Sequence, residues 1–196
     1  MPKNVDFYFD VGSPASYLAW TQLPGICAGT GATLTCKPML LGGVFQATGN
    51  ASPTAIAVKG RYVQMDLERH ARRYGVSLRS NPHFPINTLF LMRLVTGIQL
   101  TQPQRLQQLL QCLFDAIWIE ALNLNDAATT ARTLAAAGFD PAQAQALSQH
   151  PQVKAALRTV TDEAVARGVF GAPTMFVGEE MFFGQDRLEF VRQALE

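Results

Sequence analysis

Cysteine, histidine and net charge are all scarce in this chain. It carries 3 cysteines in 196 residues, Cys27, Cys36 and Cys112, with no Cys-x-x-Cys pair among them. The odd count and the missing pair argue against a disulfide framework and against a dithiol redox couple borne by the chain itself. The 3 histidines, His70, His83 and His150, are scattered. None has a second histidine or a cysteine at helical i, i+4 spacing, so no metal site is expected. Net charge is +1 with no block of like charge, which lacks the basic footprint of a nucleic-acid binder. No apolar run reaches the roughly 18 residues of a membrane span. Asp6 and Asp10 interrupt the N-terminal apolar stretch that a signal peptide keeps uncharged. The expectation is a cytoplasmic protein that engages neither nucleic acid nor membrane.

What is present is a composition of 48% hydrophobic and 16% charged residues, enough for one domain, or one domain with an insertion. Val5 to Asp10 predicts a first strand, rich in aromatic and β-branched residues. Pro14, at a first helical position behind Ser13, predicts a helix to about Ala28, kinked or shortened by Pro24. Ala32 to Leu40 predicts a second strand whose Pro38 marks an end or a sheet edge. Leu41 to Pro53 is expected to be a connection. After Pro53 nearly everything to Gly168 carries helical period, in helices that include Lys59 to Gly75, Asn87 to about Gly97 and Pro103 to Leu122, the last with Leu106, Leu109, Leu110, Leu113, Phe114 and Ile117 at i, i+3, i+4 spacing. Strand signals return at Thr174 to Val177 and Met181 to Phe183, separated at hairpin spacing. Asp186 is expected to cap a last helix. The order β-α-β, a block of about five or six helices, then β-β-α predicts a thioredoxin-type α/β sheet with an all-helical insertion. The division places 1–40 and 169–196 in the thioredoxin-like domain and 41–168 in the inserted one.

Two segments far apart in the chain read as one site. Phe9-Asp10-Val11-Gly12-Ser13-Pro14 runs from strand into helix and sets a hydroxyl where a thiol-handling fold sets its sulfur. Gly171-Ala172-Pro173-Thr174 places a Gly-x-Pro turn, expected to be cis at Pro173, before an apolar strand. A helix N-terminus concentrates partial positive charge and free N–H groups, which favour an anion, a thiolate included. Serine there cannot be the redox group, but its hydroxyl can donate to a sulfur brought from outside, naturally that of glutathione. A free thiol with a pKa of about 8.5 is only about 3% thiolate at pH 7, and lowering it by about two units gives about three-quarters thiolate.

Asp6-Phe7-Tyr8-Phe9-Asp10 through Ser13-Pro14-Ala15-Ser16-Tyr17, Gly49-Asn50 with Lys59-Gly60, Ala172-Pro173-Thr174, and Phe183-Gly184-Gln185-Asp186-Arg187 together resemble the 2-hydroxychromene-2-carboxylate isomerases. These stand beside the kappa-class glutathione transferases in the DsbA-like branch of the thioredoxin superfamily. The resemblance implies glutathione as cofactor, a small aromatic substrate, and a homodimer. By resemblance, Ser13 activates the sulfur, Ala172 and Pro173 pair with the cysteinyl part, Gln185 and Asp186 hold the γ-glutamyl end, and Asn50 and Lys59 line the cleft. The implied reaction interconverts 2-hydroxychromene-2-carboxylate and trans-o-hydroxybenzylidenepyruvate, as in naphthalene-type catabolism, by thiolate addition, bond rotation and elimination. Leu41 to Val58 contains no basic residue, so Phe45 and Phe84 become candidates for an apolar wall around the aryl group, with Asn50 and Lys59 at its polar end. A kappa-like transferase or peroxidase is the alternative, and a glutathione-binding module without catalysis is the third.

Overall fold

The computed structural model describes residues 3–196. The chain runs β1 (Asn4–Phe9), α1 (Pro14–Thr30), β2 (Thr33–Pro38), α2 (Leu41–Thr48), α3 (Ala57–Tyr74), α4 (Leu89–Thr101), α5 (Leu106–Trp118), α6 (Ala127–Ala136), α7 (Pro141–Gln149), α8 (Pro151–Ala166), β3 (Thr174–Val177), β4 (Glu180–Phe183) and α9 (Leu188–Leu195). The strands lie in the order β2-β1-β3-β4. β1 and β2 are parallel, from Asn4↔Thr33 to Phe9↔Pro38, so the proline does close an edge strand as expected. β3 runs antiparallel to β1, and β4 antiparallel to β3.

The second half of β1 is buried on both faces, which is why Phe7-Tyr8-Phe9 reads as a continuous apolar run. Val5, Phe7 and Phe9 point into a large core shared with α1, α4, α5 and α9. Tyr8, on the opposite face, joins a smaller cluster with Met39, Val44, Ala164, Val169 and Phe176. The large core contains Tyr17 and Leu18 of α1 together with Leu109 and Phe114 of α5. The sheet and the helices between β2 and β3 are therefore packed as one body of side chains.

Three expectations are corrected. Pro24 does not end α1, which continues to Thr30 and a left-handed Gly31. The missing N–H costs only the bond to the carbonyl one turn earlier, and buried Trp20, Leu23 and Cys27 hold both sides of that turn to the core. Leu41 to Pro53 is no mere connection, because α2 occupies Leu41–Thr48. Gly42 and Gly43 disfavour helix locally, and the caps come from distant sequence: the Leu41 N–H donates to Asp10 Oδ2 at 2.9 Å and the Leu40 N–H to Thr161 Oγ1 at 3.0 Å. Nor does Asp186 cap the last helix. It lies in a 3-10 turn, Gln185–Arg187, and α9 begins at Leu188 without a side-chain cap. Gly184, at φ +102°, turns the chain so that Asp186 Oδ1 lies 2.5 Å from where a Cβ would stand, and the Asp186 carboxylate pairs with Arg187 at 3.0 Å instead.

On the face away from α1, a polar network pins α8 to the sheet. Tyr8 donates its hydroxyl proton to Glu163 at 2.5 Å, and Lys37 reaches the same carboxylate at 3.2 Å. Arg167 bonds Asp6 at 2.9 Å and lies 3.7 Å from the Phe176 ring centroid. Burial pushes the Tyr8 phenol up to about 12. The Tyr8 bond and the Lys37 ammonium hold Glu163 below its ordinary 4.5. A carboxylate depressed in this way stabilises the fold above its unfolded pKa and loses that contribution as pH falls through the folded value. Glu163→Gln is therefore expected to flatten the fall of the urea midpoint on acidification from about pH 5 to about pH 3. An unchanged acid slope would show that the network contributes nothing to stability.

Candidate active site

Ser13 ends the turn after β1 in an extended conformation and opens α1. Its Oγ accepts from the Ser16 N–H at 3.1 Å, while Pro14 fills the first helical position, where no N–H is needed. Its hydroxyl proton goes across the fold to the Ala172 carbonyl, 159 residues away in sequence, at 3.0 Å. The two chain ends read from sequence as one site thus meet in a hydrogen bond. The Ala172–Pro173 peptide is cis, as expected, and so is Phe84–Pro85, which the sequence reading did not single out. Ser13 is only 5% exposed, and no acidic residue stands in the first turn of α1 to oppose an anion there.

A cavity of about 1580 Å³ opens beside this bond. Single small-ligand pockets span about 300–1,000 Å³, so the space is larger than one such ligand needs. Ser13, Phe45, Asn50, Lys59, Phe84, Ala172, Gln185 and Asp186 all line it. Pro173 does not; it is buried behind Ala172, and its carbonyl accepts the Gly184 N–H at 3.0 Å. Gln185 is 8% exposed. Among the described residues its side-chain amide meets no hydrogen-bond partner, while its backbone carbonyl is held by the Tyr74 hydroxyl at 2.7 Å. The Ala172 N–H likewise finds no acceptor among the described residues. Lys59 is exposed and its ammonium makes no ion pair among them. Asn50 is committed within the protein: its amide donates to the Phe170 carbonyl at 2.7 Å and its Oδ1 accepts from Ala51 at 2.8 Å. It therefore ties the end of α2 to the segment before β3. Phe45 is half-buried, and Phe84 packs on Trp118 with ring centroids 6.2 Å apart.

Sequence reasoning passed over several of these groups. Trp118 reads as one more apolar position of α5, yet its Nε1 donates to the Val11 carbonyl at 2.9 Å and sets the indole against the Ser13 turn. Asp10 is buried in the cavity wall, and a charged residue at the end of an apolar strand was the available signal. Tyr74 had none, because its partner lies 111 residues away. The thiols are remote from this chemistry. Cys27 and Cys36 are buried and Cys112 half-buried, none lines the cavity, and burial pushes Cys36 and Cys112 up to about 11. No cluster of metal-ligand type occurs among the described residues.

The family model described as a DSBA-like thioredoxin domain matches residues 4–196. Over 197 residues the chain is 30% identical to 2-hydroxychromene-2-carboxylate isomerase of Sphingobium xenophagum, covering 100% of this chain and 99% of that protein. It is 27% identical over 206 residues to glutathione S-transferase kappa 1 of Rattus norvegicus, covering 99% of this chain and 91% of that one. A solved structure of 2-hydroxychromene-2-carboxylate isomerase superposes with a TM-score of 0.85 at 29% identity, covering 98% of this chain and 94% of that one.

Proposed function

The chain belongs to the DSBA-like thioredoxin domain family and, within it, to the 2-hydroxychromene-2-carboxylate isomerases, and from that premise we propose that it is a glutathione-dependent isomerase of 2-hydroxychromene-2-carboxylate and trans-o-hydroxybenzylidenepyruvate. The observation that carries the proposal is the Ser13 hydroxyl, held at the start of α1 against the Ala172 carbonyl on the wall of a cavity larger than one small ligand needs. The donor set fits glutathione. Ala172 offers an N–H without a protein acceptor beside its carbonyl, an edge that suits the cysteinyl backbone. Gln185 offers an unpartnered amide and Asp186 a carboxylate, suited to the carboxylate and ammonium of a γ-glutamyl group. Lys59 offers an ammonium to a carboxylate of either ligand.

When bound, glutathione supplies a sulfur nucleophile that can add to a conjugated carbon and leave again, freeing the bond between for rotation. The chain's own part is to hold that sulfur ionised and the aryl acid beside it. Ser13 turns its proton from the Ala172 carbonyl toward the sulfur, and the amino end of α1 favours the negative charge. Phe45, Phe84 and Trp118 provide apolar surface for the ring, and the buried position of Ser13 limits water at the reacting atoms. No redox couple is involved, in keeping with thiols that lie outside the cavity and are pushed up by burial. On this reading the protein acts as a cytoplasmic homodimer. Among the described residues no helix is long and apolar enough to cross a membrane.

The same held sulfur would serve a transferase or peroxidase of the kappa class, a reading favoured by the full-length similarity to kappa transferases. Isomerisation and aryl conjugation measured side by side, with and without glutathione, separate the possibilities. The expected result is isomerisation that requires glutathione and exceeds conjugation. Dominant conjugation would favour the transferase, and binding without turnover would favour a non-catalytic module.

A further inference from the structure

Asp10 is a charged residue placed where charge is expensive. It is 1% exposed, and no lysine, arginine or histidine pairs with it among the described residues. Its Oδ1 accepts the Gly12 N–H at 2.9 Å, and its Oδ2 accepts both the Leu41 N–H at 2.9 Å and the Thr88 hydroxyl at 2.9 Å. All three neighbours donate to it, an arrangement that suits an ionised carboxylate, whereas a protonated one would have to reverse the Thr88 bond and use that hydroxyl as its acceptor. Burial pushes its pKa up, and the same three donors pull it back.

The three donors stand on three different walls of the cavity. Gly12 belongs to the turn that presents Ser13, Leu41 begins the helix that carries Phe45, and Thr88 follows the segment that carries Phe84. The junction is tight: a Cβ at Gly12 would come within 2.7 Å of Thr88 Cγ2 and 3.4 Å of Asp10 Oδ1. The Asp10 backbone carbonyl also accepts the Ser13 N–H at 3.0 Å. One residue thus holds the Ser13 turn by main chain and side chain while fixing the two walls that face it.

We propose that Asp10 is the positioning residue of the site, a buried carboxylate that sets the Ser13 hydroxyl and the aryl-facing walls in register. The inference rests on the proposed glutathione reading for its catalytic consequence, but the tie itself does not. A carboxamide has one acceptor oxygen where the carboxylate has two, so Asp10→Asn must deprive at least one wall of its anchor. Misplacing a catalytic group by about 1 Å can cost about a hundredfold in rate, so kcat is expected to fall between about tenfold and about a hundredfold. The KM for glutathione should change far less.

The sign of a second readout separates positioning from bare charge. With Ser13 misplaced, the thiol pKa of bound glutathione, followed by thiolate ultraviolet absorbance, is expected to rise by about one unit. If Asp10 acted only through its charge, removing it would favour the thiolate and the pKa would fall. Thr88→Val keeps the carboxylate and removes one anchor, and should move kcat and the thiol pKa in the same directions by less. It also carries the test should Asp10→Asn fail to fold. Amide hydrogen exchange on the protein alone should rise together around Gly12, Leu41 and Thr88 in either variant. Unchanged kcat, a lowered thiol pKa, or exchange unaltered at these three places would overturn the proposal. If the unsubstituted protein binds no glutathione, the glutathione reading fails, and the exchange result still decides whether Asp10 ties the walls.

Discussion

Ser13→Ala is expected to lower isomerisation at pH 7 between about tenfold and about a hundredfold while leaving a folded protein. The magnitude follows from one hydrogen bond to a charged group, worth about 1.5–3 kcal/mol. A bound thiol deprived of this donor has a higher pKa, so the loss should be largest at neutral and lower pH. It should shrink as pH rises past the new pKa, where the thiolate forms without help. Profiles of kcat/KM between about pH 6 and about pH 9 test this directly, because they report the ionisation of the essential groups. Matching profiles for the variant and the unsubstituted protein would remove Ser13 from the mechanism. The fold should survive because the lost cap is one of the bonds at the start of α1, a cost of about 1 kcal/mol.

The largest expected effect on stability comes from Phe114→Ala. Phe114 of α5 is fully buried. Its ring centroid lies 6.3 Å from Phe9, 5.8 Å from Tyr17 and 5.2 Å from Trp20, so it joins the helices between β2 and β3 to β1 and α1. Truncating a buried phenylalanine typically costs about 3–5 kcal/mol through lost transfer energy and the cavity left behind. Against a total stability of about 5–15 kcal/mol for a protein of this kind, that is a large fraction. Urea unfolding should show a lower midpoint, and a steady slope would indicate that the loss is one of stability alone. A loss below about 1 kcal/mol would mean that the surrounding side chains collapse into the space, so that the two parts of the chain are not held together at this ring.

Much of the site was legible because its chemistry is carried by local signals. Ser13 before Pro14 announces a helix start, and Gly171-Ala172-Pro173 announces a turn that cannot continue a ladder. Their pairing was expected from the thioredoxin-like order of elements, and the Ser13–Ala172 bond agrees with it. The misses share one cause, which is that the deciding partner lies far away in sequence. α2 forms over Gly42 and Gly43 because Asp10 and Thr161 cap it. Asp186 has the right chemistry for a cap, but Gly184 turns the chain so that its carboxylate meets Arg187. Asn50, matched by resemblance to a ligand position, is occupied by the Phe170 carbonyl, 120 residues on.

By itself the sequence determined the strand order and the helices other than α2, the absence of a Cys-x-x-Cys pair and the hydroxyl at the head of α1, since each depends on side-chain type and short-range spacing. Tertiary structure alone decided which walls enclose the cavity, where the Ser13 proton rests and why a buried carboxylate stands at position 10. Those outcomes depend on hydrogen bonds spanning 31, 78 and 159 residues, and only the packed fold brings such donors and acceptors within 3 Å.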